Sequence, residues 1–316
     1  MTGAVDPTPG IAGLKGALQY VRAYRDRTFV LKAGGAVLGD PGALDGVAAQ
    51  VGLLASLGIR VVLVHGGGPQ ATALAGRLGL ETRFVAGRRV TDEATLEVAK
   101  MTYAGLVNVE VLSTLRAHHV QAVGLSGIDA DLVTVRRRPP VAVVDGNGRA
   151  GTVDFGLVGD VVGIDPGVLR TLLDARFVPV VASLAADAGG QVHNVNADTI
   201  AEELAVALGA LKLIFLTAAP GVLRDRRDPA SLVSFAGPDD LRALIEGGAI
   251  ADGMRPKVEA CLRAVIRGVE RTHIVDGRAP DAILQEVFTG GGCGTMIVAR
   301  PEAAEAEAAW AGEPEP

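Results

Sequence analysis

Strand-like apolar runs and helix-like apolar patterns alternate along this chain. Short and nearly continuous apolar runs, which are typical of strands buried on both faces of a parallel sheet, occupy residues 29–35, 59–65, 177–183 and 212–217. Further short β segments are indicated at residues 120–127, 132–162, 273–277 and 295–299. Because these runs alternate with helical patterns, the sequence predicts an α/β protein whose mainly parallel central sheet is covered by helices on both faces.

The helical patterns place apolar residues every three or four positions, as amphipathic helices do. They cover residues 11–25, 43–58, 91–118, 166–176 and 199–209. Two more helices are predicted to begin at Pro69 and Pro256. Proline is favoured in a first helical turn, because the N–H that it lacks would have no partner there anyway.

Both ends of the chain differ in pattern from its centre. Residues 1–27 are predicted to be an extension with one amphipathic helix, whose apolar stripe consists of Ile11, Leu14, Leu18 and Val21. Residues 301–316 are acidic and low in complexity, and they are predicted to be disordered or loosely helical.

Composition excludes several classes of protein. Hydrophobic residues make up 49% and charged residues 21%, which excludes a disordered chain. With 3% aromatic residues and a net charge of −6, neither stacking on nucleic acid nor contact with its phosphates is expected. The two cysteines form no CxxC pair and the five histidines form no HExxH motif, so no metal site is predicted. Without a signal peptide or an 18-residue apolar run, we expect a cytoplasmic globular protein and no membrane contact.

A glycine-rich loop, HGGGP at residues 65–69, follows one predicted strand and precedes a helix. Glycines allow backbone N–H groups to approach an anion closely, beside the positive end of the helix dipole. A tight strand-to-helix turn would explain the loop equally well, since its spacing fits neither GxGxxG nor the P-loop. GNGRAG at residues 146–151 does fit GxGxxG, but no helix follows, so we interpret it as a turn.

Lysine is rare here, with 5 lysines among 30 basic residues, and two of them occupy unusual positions. Lys32 lies near the carboxyl end of the first strand, beside Gly34 and Gly35, at the edge where open α/β sheets bind ligands. Lys257 follows Pro256 at a helix start, where a cation opposes the helix dipole. Both positions indicate a bound anion, although a snorkelling or solvated lysine is the alternative.

Polar side chains also gather at two helix starts. Asn194, Asn196 and Asp198 occupy three of five positions where a single helix cap would suffice. Arg88 and Arg89 precede the long helix, and an arginine fork suits a carboxylate. Ordinary capping and a solvated arginine pair remain the alternatives.

Ten stretches follow one another between about residues 28 and 300: LKAGG, VVLVHGGGPQ, GRRVTD, VGLSG, GLVGDV, FVPVVAS, NVNADTIAEELA, KLIFLTAAPGV, DGMRPKVEACLRAV and HIVDGRAPDAILQEVFTGGGCGTMI. As an ordered set they resemble the amino-acid kinase superfamily and, within it, the N-acetylglutamate kinase family. The resemblance implies a three-layer sandwich of two lobes around one central sheet. Residues 28–209 would bind the amino acid and residues 210–300 the nucleotide.

The resemblance also implies an activity, the transfer of a phosphoryl group from ATP to the side-chain carboxylate of N-acetyl-L-glutamate. This is the second step of arginine biosynthesis, and Mg²⁺ would arrive with the ATP rather than in a protein site. The catalytic residues would be Lys32, Lys257 and Asp198. The acyl-amino-acid ligands would be Gly67, Gly68, Arg89 and Asn194. The nucleotide ligands would be Gly34, Gly35, Thr217, Gly253 and Met254.

The N-terminal helix resembles the extra helix of arginine-sensitive members, which pair such helices between dimers to form hexamers. We therefore expect a homo-oligomer, dimeric or hexameric, with arginine as a feedback inhibitor. The arginine site would comprise Tyr20, His273, Glu286 and Gly292. The apolar stripe of this helix could instead simply pack on its own lobe.

Three positions depart from the family pattern. Ala218 stands where aspartate usually follows the strand, Ile128 where lysine is frequent, and Ala33 where larger residues are usual. Two other functions therefore stay open: a kinase for carrier-protein-linked aminoadipate or glutamate, and a non-catalytic arginine-sensing module. Retention of the three predicted catalytic residues favours the kinase that acts on N-acetylglutamate.

Overall fold

The structure, a computed structural model, describes residues 18–144, 150–250, 252–289 and 291–299. Its strands are β1 (Thr28–Ala33), β2 (Arg60–His65), β3 (Phe84–Val85), β4 (Arg88–Arg89), β5 (Ala122–Ser126), β6 (Val133–Arg137), β7 (Val141–Val144), β8 (Ala150–Val153), β9 (Gly159–Ile164), β10 (Val178–Ala182), β11 (Leu184–Ala186), β12 (Val192–Asn194), β13 (Lys212–Thr217), β14 (Phe235–Ala236), β15 (Arg271–Asp276) and β16 (Thr295–Ile297).

The helices are α1 (residues 18–24), α2 (Gly35–Leu38), α3 (Pro41–Ser56), α4 (Gly68–Arg77), α5 (Glu93–Lys100), α6 (Asn108–Ala117), α7 (Gly167–Asp174), α8 (Ala197–Ala207), α9 (Pro238–Glu246), α10 (Arg255–Ile266) and α11 (Ala282–Phe288). Single 3₁₀ turns lie at Asp129–Asp131, Pro229–Ser231 and Asp252–Met254.

An eight-stranded sheet in the order β14-β16-β15-β13-β1-β2-β10-β5 forms the centre of the molecule. Six neighbouring strands are parallel, while β16 pairs antiparallel with β15 and carries β14 parallel to itself. The predicted α/β class with a mainly parallel sheet is therefore confirmed. Four of these strands come from residues 28–209 and four from residues 210–300, so the sheet is continuous across both predicted lobes.

Two apolar layers cover the faces of this sheet, because successive strand residues point to opposite sides. Val30 and Val62 pack in the layer that contains α8 and α10. Phe29 and Val61, their immediate neighbours, pack in the layer that contains α3, α6 and α11. This alternation decides on which face each polar side chain of a strand comes to lie.

The long helix predicted over residues 91–118 is interrupted in the structure. A π-helical segment, Met101–Val107, joins α5 to α6. A π-helical turn holds an extra residue and rotates the side chains that follow, and such turns occur often at functional sites. The hydrophobic period alone does not reveal it, because apolar residues on both sides of the segment still face the core.

Part of the N-terminal prediction lies outside the described residues, since Ile11 and Leu14 belong to residues 1–17. In α1, Leu18 is 46% exposed, whereas Tyr24 is buried. The predicted acidic tail and most of the GNGRAG stretch also lie outside the described residues. Within the described chain, no helix has the length and apolar character needed to cross a membrane.

Candidate active site

A cleft of about 1060 Å³ opens at the carboxyl ends of β1, β2 and β10. Its lining includes Lys32, the glycine loop of residues 66–68, Arg89, Asn194, Asp198 and Gly253. Residues from both sequence halves therefore meet at the sheet edge where the sequence predicted a ligand.

Two lysines from distant parts of the chain converge on Asp198. Lys32 comes two positions after Val30 in β1 and therefore points to the same face, towards the first turn of α8. Its Nζ lies 2.7 Å from Asp198 Oδ1, which makes this a close ion pair. Lys257, in the first turn of α10, donates from Nζ to Asp198 Oδ2 at 3.1 Å and to the carbonyl of Gly253 at 3.2 Å.

The charge of Asp198 is held by these two lysines. Burial would raise the pKa of this carboxyl, but the Coulombic attraction of Lys32 and Lys257 outweighs it, so the pKa lies below its ordinary value. Asn196 caps α8 by accepting from the backbone N–H groups of Asp198 and Thr199. The side chain of Asn196 therefore caps the helix, and the carboxylate of Asp198 remains free to pair with Lys32 and Lys257.

Three glycines near the carboxyl ends of β1 and β2 have no room for a side chain. A Cβ at Gly67 would lie 2.7 Å from a ring carbon of Tyr103, in the π-helical segment. A Cβ at Gly35 would lie 2.9 Å from Pro69, and one at Gly34 would lie 2.8 Å from the carbonyl oxygen of residue 216. Close approach of neighbouring elements therefore requires glycine at these positions.

A buried polar pair lies beneath the loop. His65 ends β2 on the face opposite Lys32, and its Nδ1 donates to the carbonyl of Gly66 at 2.8 Å. Its Nε2 then accepts from the side-chain amide of Asn108, in the first turn of α6, at 3.1 Å. Burial, with a smaller contribution from Lys32, lowers the pKa of His65 to about 4, so the imidazole is neutral at physiological pH.

Arg89 and Asn194 both line the cleft, and Arg89 is bound to α4. Arg89 Nη2 donates to the carbonyl of Gly68 at 2.8 Å and to the hydroxyl of Thr72 at 2.7 Å. Its Nη1 is buried without a hydrogen-bond partner among the described residues. Asn194 ends β12 and donates to the Thr91 hydroxyl at 3.1 Å. Arg89 thus keeps one donor available for an anion in the cleft.

The five residues predicted to bind nucleotide are not all at the cleft. Gly35 and Gly253 line it, whereas Gly34, Thr217 and Met254 do not. The hydroxyl of Thr217 donates to the carbonyl of Ala219 at 2.9 Å and accepts from the N–H of the same residue at 3.0 Å. Thr217 therefore holds the turn after β13, which contains Ala218.

A second polar group is buried on the other face of the sheet, at the start of β13. His273 Nδ1 donates to Glu286 Oε1 at 2.7 Å, and its Nε2 accepts from Lys212 Nζ at 3.3 Å. Burial lowers the pKa of Lys212 to about 7. Burial and the charge of Lys212 lower the pKa of His273 to about 4. The imidazole is therefore neutral and bridges the amine of Lys212 and the carboxylate of Glu286.

The remaining residues of the predicted arginine site lie next to this group. The ring of Tyr20 lies 6.4 Å from that of Phe288, on the same helix as Glu286. Gly292 has φ +58°, and a Cβ there would lie 2.7 Å from Glu286 Oε2. The four residues predicted from the sequence thus share one neighbourhood, at the opposite face and opposite strand end from the cleft.

The comparisons with known proteins agree with this geometry. The model of the Amino acid kinase family matches residues 27–276. An acetylglutamate kinase of Myxococcus xanthus is 46% identical over 295 residues, which cover 93% of this chain and 96% of that protein. The chain belongs to the amino acid kinase family, among the acetylglutamate kinases. An acetylglutamate kinase of Heliobacterium modesticaldum is 45% identical over 89% of this chain and 95% of its own length.

Solved structures related to this family member include an N-acetylglutamate synthase from Neisseria gonorrhoeae, complexed with coenzyme A and N-acetyl-glutamate. It is 31% identical with a TM-score of 0.77 over 91% of this chain, and the chain spans 63% of the synthase. The synthase complexed with coenzyme A and L-arginine gives 29% identity and a TM-score of 0.76, over 92% of this chain and 65% of that one. A carbamate kinase from Giardia lamblia, at 18% identity and a TM-score of 0.64, shares the fold.

In this amino acid kinase, the sequence did not predict several residues of the cleft and of the buried group around His273. Lys212 begins an apolar strand, and the scarcity of lysine that singled out Lys32 applied to it equally. His65 and Asn108 carried no signal, because a buried histidine and a helix-start asparagine are common. Tyr103 gave none either, since its contact with Gly67 depends on the π-helical turn.

Proposed function

We propose that this chain transfers the γ-phosphoryl group of ATP to the side-chain carboxylate of N-acetyl-L-glutamate, in arginine biosynthesis. The observation that carries the proposal is the convergence of Lys32 and Lys257 on Asp198 at the cleft. We further infer that residues 28–209 hold the amino acid and that residues 210–300 hold the nucleotide.

The chemistry needs positioning and charge neutralisation rather than a general base. A carboxylate is already ionised and nucleophilic at neutral pH, so no group has to remove a proton from it. Negative charge shifts between the attacking and leaving oxygens during transfer, and fixed cations aimed at that charge lower the barrier. Lys32 and Lys257 are suited to this role, and Asp198 keeps both ammonium groups at one place.

The amino-acid substrate carries a second carboxylate and an amide, and residues near α4 suit both. The unpartnered Nη1 of Arg89 would bind the carboxylate. Asn194 would bind the amide, with the Gly67 and Gly68 backbone close enough for contact because no side chain intervenes. On the nucleotide side, Gly34 and Gly35 would approach the phosphates, with Thr217, Gly253 and Met254 nearby.

Mg²⁺ would enter this site as a complex with ATP. Among the described residues, no group of three His, Cys, Asp or Glu side chains is arranged to hold a metal ion. Mg²⁺ commonly keeps phosphate and water oxygens as ligands in kinases, so the phosphates of ATP would supply its main ligands here.

Parallel ATP-turnover assays with N-acetylglutamate, free glutamate and aminoadipate test the proposed function. We expect turnover with N-acetylglutamate and little with the other two substrates. A preference for aminoadipate, or no turnover with any of the three, would contradict the proposal.

Arg89→Ala is expected to weaken N-acetylglutamate binding by about tenfold to a hundredfold, because a charged hydrogen bond to the substrate is lost. Nucleotide affinity should stay within about twofold, since binding of this ligand does not involve Arg89. Calorimetry with each ligand separately measures both effects. Arg83→Ala, at an exposed arginine directly before β3, is the matched control. Equal losses for both ligands would indicate a folding defect instead.

We also propose that arginine binds at the group formed by Tyr20, Lys212, His273, Glu286 and Gly292. Glu286 is a carboxylate able to pair with a guanidinium. The related synthase was solved with L-arginine, which supports arginine as a ligand class. Because this group lies across the sheet from the cleft, inhibition must operate through different arginine affinities of two conformations.

Deletion of residues 1–26 is expected to convert a hexamer into a dimer and to abolish arginine inhibition, while catalysis persists. The deletion removes the helix proposed to pair between dimers, together with Tyr20. Light scattering and an arginine titration measure the two effects. Since Tyr24 is buried against Phe29, Tyr20→Ala serves as a milder variant that should lose inhibition only. The titration should reach millimolar-range arginine, a concentration on the order of the Kd of a weak ligand. A full-length protein that is dimeric and is not inhibited at that concentration would contradict this proposal and leave the kinase assignment intact.

A further inference from the structure

Helices α8 and α10 are joined at two levels. The first is the contact between Asp198 and Lys257 at their first turns. The second lies one turn further along α8, where Glu202 meets Arg263 of α10. Arg263 also contributes to the lining of the cleft. Both links join the same two helices, so the second link restrains the helices that carry the first.

The second link is a forked ion pair. Arg263 Nε donates to both oxygens of Glu202, at 2.9 and 3.1 Å, and Nη2 donates to Oε2 at 2.6 Å. Arg267 adds a longer contact to Glu202, at 3.6 Å. A forked pair specifies direction as well as distance, because the planar guanidinium must face the carboxylate. It therefore restricts how α10 can slide or rotate against α8.

Glu202 is 1% exposed, in a layer otherwise built from apolar side chains of α8, α10 and the sheet. Burial raises the pKa of Glu202, and the hydrogen bond from Arg263 opposes that rise. Only the carboxylate is fully buried, since the Arg263 side chain is 50% exposed. The desolvation of Glu202 offsets much of the attraction, so the pair contributes little net stability. The main effect of the Glu202–Arg263 pair is therefore geometric: it specifies how α10 packs on α8.

We propose that the Glu202–Arg263 pair is a positioning clamp that sets α10 on α8 and thereby holds the Lys257 ammonium on the transferred phosphoryl group. This inference rests on the proposed function, since it gives Lys257 its catalytic role. Glu202 itself acts through Lys257 and touches no reacting atom. Displacement of a catalytic group by about 1 Å can lower a rate by about a hundredfold, so a small helix shift has a large effect.

The chain offers a matched control for this clamp. Glu203 of α8 and Arg267, which directly follows α10, form a second forked pair, at 2.6 and 2.9 Å. Glu203 is 22% exposed, whereas Glu202 is 1% exposed. Glu203→Gln therefore removes the same charge from the same helix pair away from the cleft. Glu202→Gln is compared with it in the full-length protein, with Arg263→Gln and Arg263→Lys as partner variants.

We expect Glu202→Gln and Arg263→Gln to lower kcat about tenfold or more, with both KM values within about twofold. Arg263→Lys should retain part of kcat, and Glu203→Gln should retain nearly all of it. Binding of ADP with aluminium fluoride and N-acetylglutamate, which mimics the transferred phosphoryl group, should weaken in Glu202→Gln. Binding of ATP alone should not change.

Hydrogen exchange of the α10 amides separates this inference from the proposed function. Faster exchange in the first turns of α10 for Glu202→Gln than for Glu203→Gln supports the clamp, whatever the substrate proves to be. Equal exchange and equal kcat in these two variants, or a lower melting temperature with unchanged kcat in Glu202→Gln, would overturn it. Failure of the wild type to turn over N-acetylglutamate would contradict the proposed function, and the exchange result would still decide on the clamp.

Discussion

Lys32→Met and Lys257→Met are each expected to lower kcat by about a hundredfold or more, the cost of removing one preorganised charge from a transition state. Methionine preserves the length of the apolar stem, so packing around the cleft should persist. The KM for N-acetylglutamate should change far less, because the lysines are proposed to act on the moving phosphoryl group. Steady-state kinetics with ATP and N-acetylglutamate measure both parameters.

Lys100→Met is the control for these substitutions. Lys100 is exposed in the last turn of α5 and does not line the cleft. The same change of residue there should leave kcat and both KM values near those of the wild type. Near-normal kcat in both site variants would refute the catalytic assignment of the lysines.

Asp198→Ala is expected to lower the free energy of unfolding by about 3–5 kcal/mol, because it leaves buried cations without their counter-ion. The side chain of Lys32 is 9% exposed and that of Lys257 is 20% exposed, so water can compensate little. Turnover should fall as well, since both ammonium groups lose the carboxylate that holds them. Urea unfolding monitored by circular dichroism measures the stability loss.

The stability difference should depend on pH in a definite direction. The pKa of Asp198 in the folded protein lies below its ordinary value of 3.8. The contribution of its carboxylate is therefore fully present above the ordinary pKa and is lost as the pH falls through the lower folded-state value. The two proteins should differ by a constant amount from neutral pH to about pH 4 and converge below it.

Asp239→Ala provides the control for this comparison. Asp239 pairs with Arg242 at 2.6 Å, but its side chain is 96% exposed, so solvent screens the pair. The unfolding midpoint should stay unchanged in this variant. Equal destabilisation by Asp198→Ala and Asp239→Ala would show that burial of the lysines has no energetic consequence, contrary to the assigned role of Asp198.

The strands, the two candidate lysines and the glycine loop could be predicted from neighbouring residues in the sequence. The apolar runs that became β1, β2, β10 and β13 are signals carried by neighbouring residues, and they predict a buried parallel sheet without any tertiary information. Lys32 and Lys257 could be singled out for the same reason, since a cation at a strand end or a helix start conflicts with its immediate surroundings. The glycine loop belongs to this group too, although its spacing left a plain turn equally possible.

Tertiary structure alone decided which of these residues meet. The pairing of Asp198 with both lysines depends on strand alternation, which sends Lys32 towards α8 and its neighbours to the other face. His65 and Lys212 lie on that other face for the same reason, where they join Asn108 and His273 instead of the cleft.

The Glu202–Arg263 clamp and the contact between Tyr103 and Gly67 depend on how helices pack and on one π-helical turn. These features are set by residues 61 and 36 positions apart in the chain. Hydrophobic period and residue type act over a few positions only. They therefore determined the elements and the candidate cations, while the packing of distant elements determined the site.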